Sequence, residues 1–240
     1  MISNKEVKLI TSLSQKKYRN KHLLFVAEGE KLVLELIKAK YTVENIYYTN
    51  MFNYDIEEHL ALKVSEKDLK RISSLKTPSK VVGVFKIPTY KKTIEGGLQV
   101  VLDGIQDPGN LGTIIRLCDW FGVSNLICSL DTVDCYNPKV VQATMGSLAR
   151  VVISYQDIED FIINSKSTVF ITDMDGENVY EQKLPKDALL VMGNEGNGIR
   201  ETIKALAKKS ITIPRFGENS KAESLNVATA TAILLSEFRR

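Results

Sequence analysis

Five apolar runs in the second half of the chain, LQVVLD, VSNLICSL, STVFITDM, ALLVMG and SITIP, show no polar alternation, and each is followed by or alternates with a helical pattern. Runs of this kind read as strands of a parallel sheet buried on both faces, with helices as the crossovers. The first part of the chain has a different texture. EGEKLVLELIKAK sets Leu32, Val33, Leu36 and Ile37 on one helical stripe with lysines opposite, while VENIYYT and KVVGVFKIP read as strands. SEKDLKRISSL opens with a Ser65-x-x-Asp68 capping signal and carries Leu69, Ile72 and Leu75 at helical spacing. Between the two textures lies PTYKKTIEGG, polar, basic and closed by two glycines, which reads as a linker. The pattern therefore predicts an α/β protein: a small α/β domain over residues 1–90, a linker at 91–98 and a parallel-sheet domain over 99–240.

Ligands in open α/β sheets bind beyond the carboxyl ends of the strands. Three such ends are chemically unusual here. DPGNLGTIIRLCDWFG follows LQVVLD, with Gly109 or Asn110 expected to cap a helix from Leu111 to about Phe121. Its apolar stripe is Leu111, Ile114, Ile115 and Cys118, and Arg116 lies roughly 160° round from that stripe. Arg116 shares its face with Trp120, the single tryptophan, so this face is either a solvated surface or an interaction surface. VMGNEGNGI reads G-x-x-G-x-G, with Glu195 in the middle where a phosphate would be repelled, so a cationic or polar-edged ligand suits the loop better. In the third, IPRFGENSKAESLNVATATAILL, Ser224 is a candidate N-cap and Asn226 falls in the first turn.

Composition narrows the chemistry. A net charge of +3 over 240 residues permits a nucleic-acid partner without requiring one. Cys118, Cys128 and Cys135 form no C-x-x-C pair and sit in or beside apolar runs, so buried thiols in a reducing compartment are expected. His22 and His59 are the only histidines and do not form a ligand pair, so no metal site is expected. Neither an apolar leader nor a stretch near the ~18 residues of a membrane span is visible, and the expected location is the cytoplasm. Without metal, histidine or nucleophile at the strand ends, hydrolysis and covalent catalysis are poorly supported. A reaction whose electrophile arrives activated needs mainly positioning and charge stabilisation, and methyl transfer from a sulfonium fits that description.

In order, NLGTIIR, MGNEGNGI and IP…SLNVATATAI closely resemble the three motifs of the SpoU (TrmH-like) branch of SPOUT RNA ribose 2′-O-methyltransferases, and NPKVVQATMGSLARV resembles the segment between the first two. KYRNKHLLFVAEGEKLVLELI and VSEKDLKRISSLKTPSKVVGVF resemble, more weakly, the L30e-like substrate-binding domain of ribosomal-RNA members. The resemblance implies a deep trefoil knot in the C-terminal domain, S-adenosylmethionine as cofactor and a homodimer whose RNA site draws on both subunits. Carried over by motif, it implies Asn110, Arg116, Glu195, Ser224 and Asn226 as catalytic residues. Gly193, Ile213 and Leu225, with the loop neighbours Met192, Asn194, Gly196 and Pro214, are the implied cofactor contacts. Some positions depart from the family: Ser79-Lys80 stands where Gln-Gly is frequent, Gln142 where Arg is frequent, and the loop Gly217–Glu223 is longer than in many members.

A 2′-hydroxyl selects RNA over DNA. QKKYRNK gathers Lys16, Lys17, Arg19 and Lys21 around Tyr18, which either contact RNA phosphates and stack on a base or form a solvated lysine-rich start. The expected function is 2′-O-methylation of 23S ribosomal RNA. A tRNA ribose methyltransferase is the first alternative, and a non-catalytic RNA-binding protein that keeps the fold is the second. An NAD-dependent Rossmann enzyme would need G-x-G-x-x-G after the first strand, which LQVVLD lacks.

Overall fold

Ser3 accepts a hydrogen bond from the Glu6 amide and Glu6 accepts one from the Ser3 amide, so the chain enters α1 (Asn4–Ser12) through a capping box. The structure is a computed structural model that describes residues 2–50, 56–88, 96–217 and 224–240. After α1 come α2 (Lys16–His22), β1 (Leu24–Glu28), α3 (Glu30–Lys38), β2 (Val43–Tyr48), β3 (Ala61–Lys63), α4 (Glu66–Ile72) and β4 (Val81–Lys86). As the capping signal predicts, Ser65 accepts from the Asp68 amide at the start of α4. The strands form a sheet of order β1-β4-β2-β3, with β4 antiparallel to both neighbours and β3 parallel to β2.

Strand alternation sends side chains to the two faces in turn. Val26, Val82 and Val84 join Ile10, Leu13, Leu69 and Ile72 in one apolar cluster. On the other face Phe25 stacks on Phe85 (centroids 5.8 Å apart) and meets the Tyr136 ring at 4.7 Å.

Tyr136 belongs to a segment that the sequence pattern alone places in the second domain. The chain in fact divides into two compact units, Met1–Tyr90 with Asp134–Arg150, and Lys91–Val133 with Val151–Arg240. The physical reason lies in the partners that Asp134–Arg150 finds. Besides the Tyr136 ring, the Tyr41 hydroxyl donates to the Leu148 carbonyl at 3.2 Å and Arg150 pairs with Glu35. Asp134 accepts from both Nε and Nη2 of Arg19, at 2.8 and 2.6 Å. Arg19 also donates to the carbonyls of Leu13 and Ser14 and is only 2% exposed. The phosphate-contacting role expected for Arg19 does not fit this burial: four of its five N–H donors are committed inside the first unit. Lys16, Lys17 and Lys21 remain exposed, and the half-buried Tyr18 ring carries the Lys17 ammonium 4.8 Å from its centroid.

In the second part of the chain the apolar runs form β5 (Leu98–Asp103), α5 (Pro108–Trp120), β6 (Asn125–Cys128), α6 (Pro138–Thr144), β7 (Val152–Tyr155), α7 (Ile158–Ile163), β8 (Thr168–Asn178), β9 (Ala188–Gly193), α8 (Glu201–Lys204), β10 (Lys209–Thr212) and α9 (Val227–Arg239). Apart from α6, which lies in Asp134–Arg150, these elements build the second unit. All five expected runs are strands, and β7, which no run announced, adds a sixth. The sheet has the order β10-β8-β9-β5-β6-β7 and every pairing is parallel. Val101, Val169, Leu189 and Val191 pack with Ile158, Ile162 and Ile203 of α7 and α8. Phe170, one residue on from Val169, points to the opposite face and meets Phe238 of α9 edge-on at 5.3 Å. Arg239 closes that layer by donating to the carbonyls of Phe121 and Gly122 just past α5. Most of the expected linker and nearly all of the Gly217–Glu223 loop lie outside the described residues.

Candidate functional site

Parallel pairing sets Asp103, the last residue of β5, beside Gly193, the last of β9, so the loops leaving both strands begin side by side. The helix after β5 starts earlier than the pattern suggested. Asp107 caps it, its carboxylate accepting from the Asn110 amide at 2.8 Å, and Pro108 and Gly109 occupy its first turn. Neither Gly109 nor Asn110 is the cap. A proline just inside a helix start was the available signal, because its missing N–H costs nothing there. The stripe Leu111, Ile114, Ile115 and Cys118 is fully buried as expected, while Arg116 and Trp120 are exposed, Trp120 by 84%.

The cap of α9 also moves. Asn226, not Ser224, accepts from the amides of Ala228 and Thr229, at 3.0 and 3.2 Å. Two cap-competent residues lie two positions apart in SLN, and only the second falls where the helix begins. This cap fixes the orientation of a longer chain of bonds. With its amide oxygen committed to the helix, Asn226 presents its Nδ2 to the Asn110 Oδ1 at 2.9 Å. That in turn directs the Asn110 Nδ2 onto Glu195 Oε1, at 2.6 Å. Each amide can donate in only one direction, so Asn226, Asn110 and Glu195 form a polarised chain ending on a carboxylate. It joins the three loops that the sequence picked out.

The G-x-x-G-x-G loop is held by its own atoms. Asn194 and Gly198 exchange backbone hydrogen bonds, at 3.0 and 2.9 Å. The Asn194 side chain accepts from Gly196 and Asn197 and donates to the Gly104 carbonyl at 2.6 Å. Asn194 thus shapes the loop with every polar group it has. Gly193 is required by close approach: a Cβ there would lie 2.5 Å from the Gly198 carbonyl carbon and 2.6 Å from the Ile199 nitrogen. Met192 is buried in the strand, whereas Gly193, Ile213 and Pro214 are half-buried and Gly196 and Leu225 exposed at the loop surfaces.

Two residues that sequence reasoning passed over anchor the far end of this loop. Asp103, 2% exposed, accepts from the Arg200 amide at 2.8 Å and from its Nε at 2.7 Å, with Nη2 at 2.6 Å. The bonds to Asp103 hold the Arg200 guanidinium above its ordinary pKa range. The signal was an acid closing an otherwise apolar strand, LQVVLD.

Arg116 and Ser224 stand apart from the Asn226–Asn110–Glu195 chain. Arg116 lies six residues beyond Asn110, roughly 120° away around α5, and makes no hydrogen bond or ion pair with another described residue. Ser224 is exposed and likewise without a described partner. The three cysteines are buried and in no disulfide, and burial pushes the Cys118 thiol up, away from nucleophile chemistry. Among the described residues no group of His, Cys, Asp and Glu could hold a metal ion, and no helix is long and apolar enough to cross a membrane.

Comparison with known proteins identifies the family. Residues 97–236 match the SpoU rRNA Methylase family, and residues 4–83 match the MRM3-like substrate binding domain. The 23S rRNA (guanosine(2553)-2′-O)-methyltransferase RlmP of Bacillus subtilis is 30% identical over 98% of this chain and 96% of its own length. A 23S rRNA (guanosine-2′-O-)-methyltransferase, RlmB of Neisseria meningitidis, is 35% identical over 61% of this chain and 59% of its own. Among solved structures, the AdoMet-bound rRNA methyltransferase of Sinorhizobium meliloti superposes with a TM-score of 0.87 at 33% identity, covering 100% of this chain and 95% of that one. Three loops tied at the ends of a parallel sheet, and a family match spanning that whole sheet, place this chain in the SpoU rRNA methylase family.

Proposed function

We propose that this protein transfers the methyl group of S-adenosylmethionine to a ribose 2′-hydroxyl of RNA, with 23S ribosomal RNA as the substrate. The Asn226–Asn110–Glu195 bond chain carries the reading, because it draws the three motif loops to one end of the sheet. Full-length similarity to a 23S rRNA methyltransferase supports the choice of RNA.

The donor set suits the cofactor. Glu195 supplies negative charge compatible with a sulfonium cation, and the half-buried backbone of Gly193, Ile213 and Pro214 offers peptide groups for a flat polar-edged base. When bound, S-adenosylmethionine supplies a methyl group already activated for displacement. This chain's own residues then position and stabilise. An arginine keeps its proton at any pH an enzyme works at, so Arg116 acts as a cation and not as a base. Its planar fork binds the neighbouring phosphate and stabilises the alkoxide developing on the 2′-oxygen. Arg116 is exposed and removed from the Asn110 network of its own subunit. We therefore assign it to a site completed by a second copy of the chain in a homodimer. The family reading also carries the trefoil knot, and buried thiols in no disulfide suit a reducing cytoplasm.

The test is methylation of total RNA with labelled S-adenosylmethionine, followed by mapping of 2′-O-methyl positions. Incorporation into 23S RNA is expected; incorporation confined to tRNA would replace the substrate, and none at all would favour the binding-module alternative. For the dimer, mixing inactive Arg116→Ala with inactive Glu195→Ala protein should restore part of the activity if subunits share sites. No recovery after verified subunit exchange would place Arg116 in its own subunit's site.

A substitution at Asn226 separates its structural and chemical roles. Asn226→Asp keeps the oxygen that caps α9 but cannot donate to Asn110, so thermal stability should stay near wild type while turnover falls about tenfold, the scale of one hydrogen bond of ~1.4 kcal/mol. Asn226→Ala should lose both, with about 1 kcal/mol of stability gone by chemical denaturation.

A further inference from the structure

Two adjacent residues at the end of β5, Asp103 and Gly104, hold both ends of the GNEGNG loop. Gly104, at a φ of 71°, donates its amide to the Ser129 hydroxyl at 2.9 Å and accepts from the Asn194 side chain at 2.6 Å, which fixes the loop where β9 ends. Asp103 fixes the other end. Its Oδ2 accepts from the Arg200 amide at 2.8 Å, and its Oδ1 accepts from Nε and Nη2 of the same residue at 2.7 and 2.6 Å. We infer that Asp103 and Arg200 are positioning residues for S-adenosylmethionine: the pair preshapes the loop that receives the cofactor, and so sets cofactor affinity rather than the rate of transfer. This role rests on the methyltransferase reading above.

Arg200 grips one carboxylate twice, through its side chain and through its own backbone. The guanidinium fork orients the carboxylate by Oδ1 and leaves Oδ2 aimed at the amide. Asp103 is only 2% exposed, and in such surroundings a hydrogen bond is electrostatically stronger than in water. A glycine-rich loop that a ligand must order loses much freedom, and that loss comes out of affinity. A loop already held at both ends avoids the loss. Glu195 lies between the two fixed ends, so the pair also sets where its carboxylate stands relative to the Asn110 amide.

Two other roles fit the pair less well. One is fastening α8 to the fold. That helix has anchors of its own: Ile203 is fully buried, Thr202 donates to Glu159 at 2.6 Å, and Lys204 pairs with Asp173 at 3.2 Å. The other is binding an RNA phosphate through the half-exposed Arg200 side chain. Its Nε and Nη2 are committed to Asp103, and Asp131 and Glu159 stand near enough to add negative potential. A phosphate would meet that potential as repulsion.

The experiment uses the full-length protein with S-adenosylmethionine itself. Asp103→Asn keeps the shape but offers a single oxygen, which can accept from the Arg200 amide or from the guanidinium but not from both. Arg200→Lys keeps the charge and the backbone bond but loses the fork. Thr202→Val removes an anchor of α8 outside the loop. Calorimetry should show S-adenosylmethionine bound about tenfold more weakly by Asp103→Asn, about threefold by Arg200→Lys, and as in the wild type by Thr202→Val. Amide exchange in cofactor-free protein should quicken about tenfold across residues 194–200 in Asp103→Asn and hold in Thr202→Val. In turnover on ribosomal RNA the KM for S-adenosylmethionine should rise, while kcat and the KM for RNA stay within about twofold. Wild-type affinity or wild-type loop exchange in folded Asp103→Asn would overturn the inference, as would a loss confined to kcat or to RNA affinity. Should Asp103→Asn not fold, Arg200→Lys, altered at a half-exposed side chain, decides by the same readings. Failure of the wild type to bind S-adenosylmethionine removes the methyltransferase reading and the inference together. Binding and transfer by the wild type, with both variants of the pair indifferent, removes the inference alone.

Discussion

Arg116→Ala is expected to lower the single-turnover rate of methyl transfer by about 10²–10³-fold, the cost of removing one preorganised donor to a developing oxyanion. The side chain is exposed and lies roughly 160° from the buried stripe of α5, so its loss leaves the core untouched and the melting temperature should not move. Affinity for S-adenosylmethionine, measured by calorimetry, should also hold, because Arg116 makes no hydrogen bond or ion pair with a described residue of the loops beside Gly193. The decisive comparison is Arg116→Lys. A lysine preserves the charge but not the planar fork that can hold a phosphate oxygen and the 2′-oxygen together. Turnover by Arg116→Lys near the wild-type level would rule out both the phosphate clamp and the alkoxide role.

Asp134→Ala should be the most damaging change for stability, at about 3–5 kcal/mol, because it leaves the Arg19 guanidinium buried without its counter-charge. Two bonds from Arg19 end on the same Asp134 oxygen, and the other oxygen accepts from the Tyr136 amide at 2.9 Å. The double variant Arg19→Met/Asp134→Leu should recover part of the loss, since an apolar pair needs no counter-charge. Recovery stays incomplete because the carbonyls of Leu13 and Ser14 then lose their donor. Denaturant titration of the three proteins gives the measurement. A single variant as stable as wild type would mean that water reaches the guanidinium.

The sequence showed the parallel sheet well because continuous apolar runs have few alternative uses, and it showed Asn110, Glu195 and Asn226 because each sits at a strand end in a recognisable motif. It hid what depends on distant partners. Arg19 reads as one more charge in a basic cluster, since its carboxylate lies 115 residues away. Asp103 and Arg200 are 97 residues apart and meet only when β5 and β9 pair. The shifted caps at Asp107 and Asn226 are local, yet short stretches such as DPGN and SLN offer several cap-competent residues, and only the helix register chooses among them. β7 escaped because four residues of mixed polarity carry too little periodicity to announce a strand.

The placement of Asp134–Arg150 bears on how the protein can be cut. The chain passes between its two compact units near residues 90, 133 and 150, so cleavage at 91–98 severs only one of three covalent crossings. A protease acting there should yield two fragments that travel together on a sizing column, the longer one still contributing Tyr136 to Phe25 and Asp134 to Arg19. A gene fragment encoding only residues 1–90 would lack those partners from birth, with an aromatic face left bare and a buried cation left uncompensated. Division of labour between the units therefore does not make them separable parts.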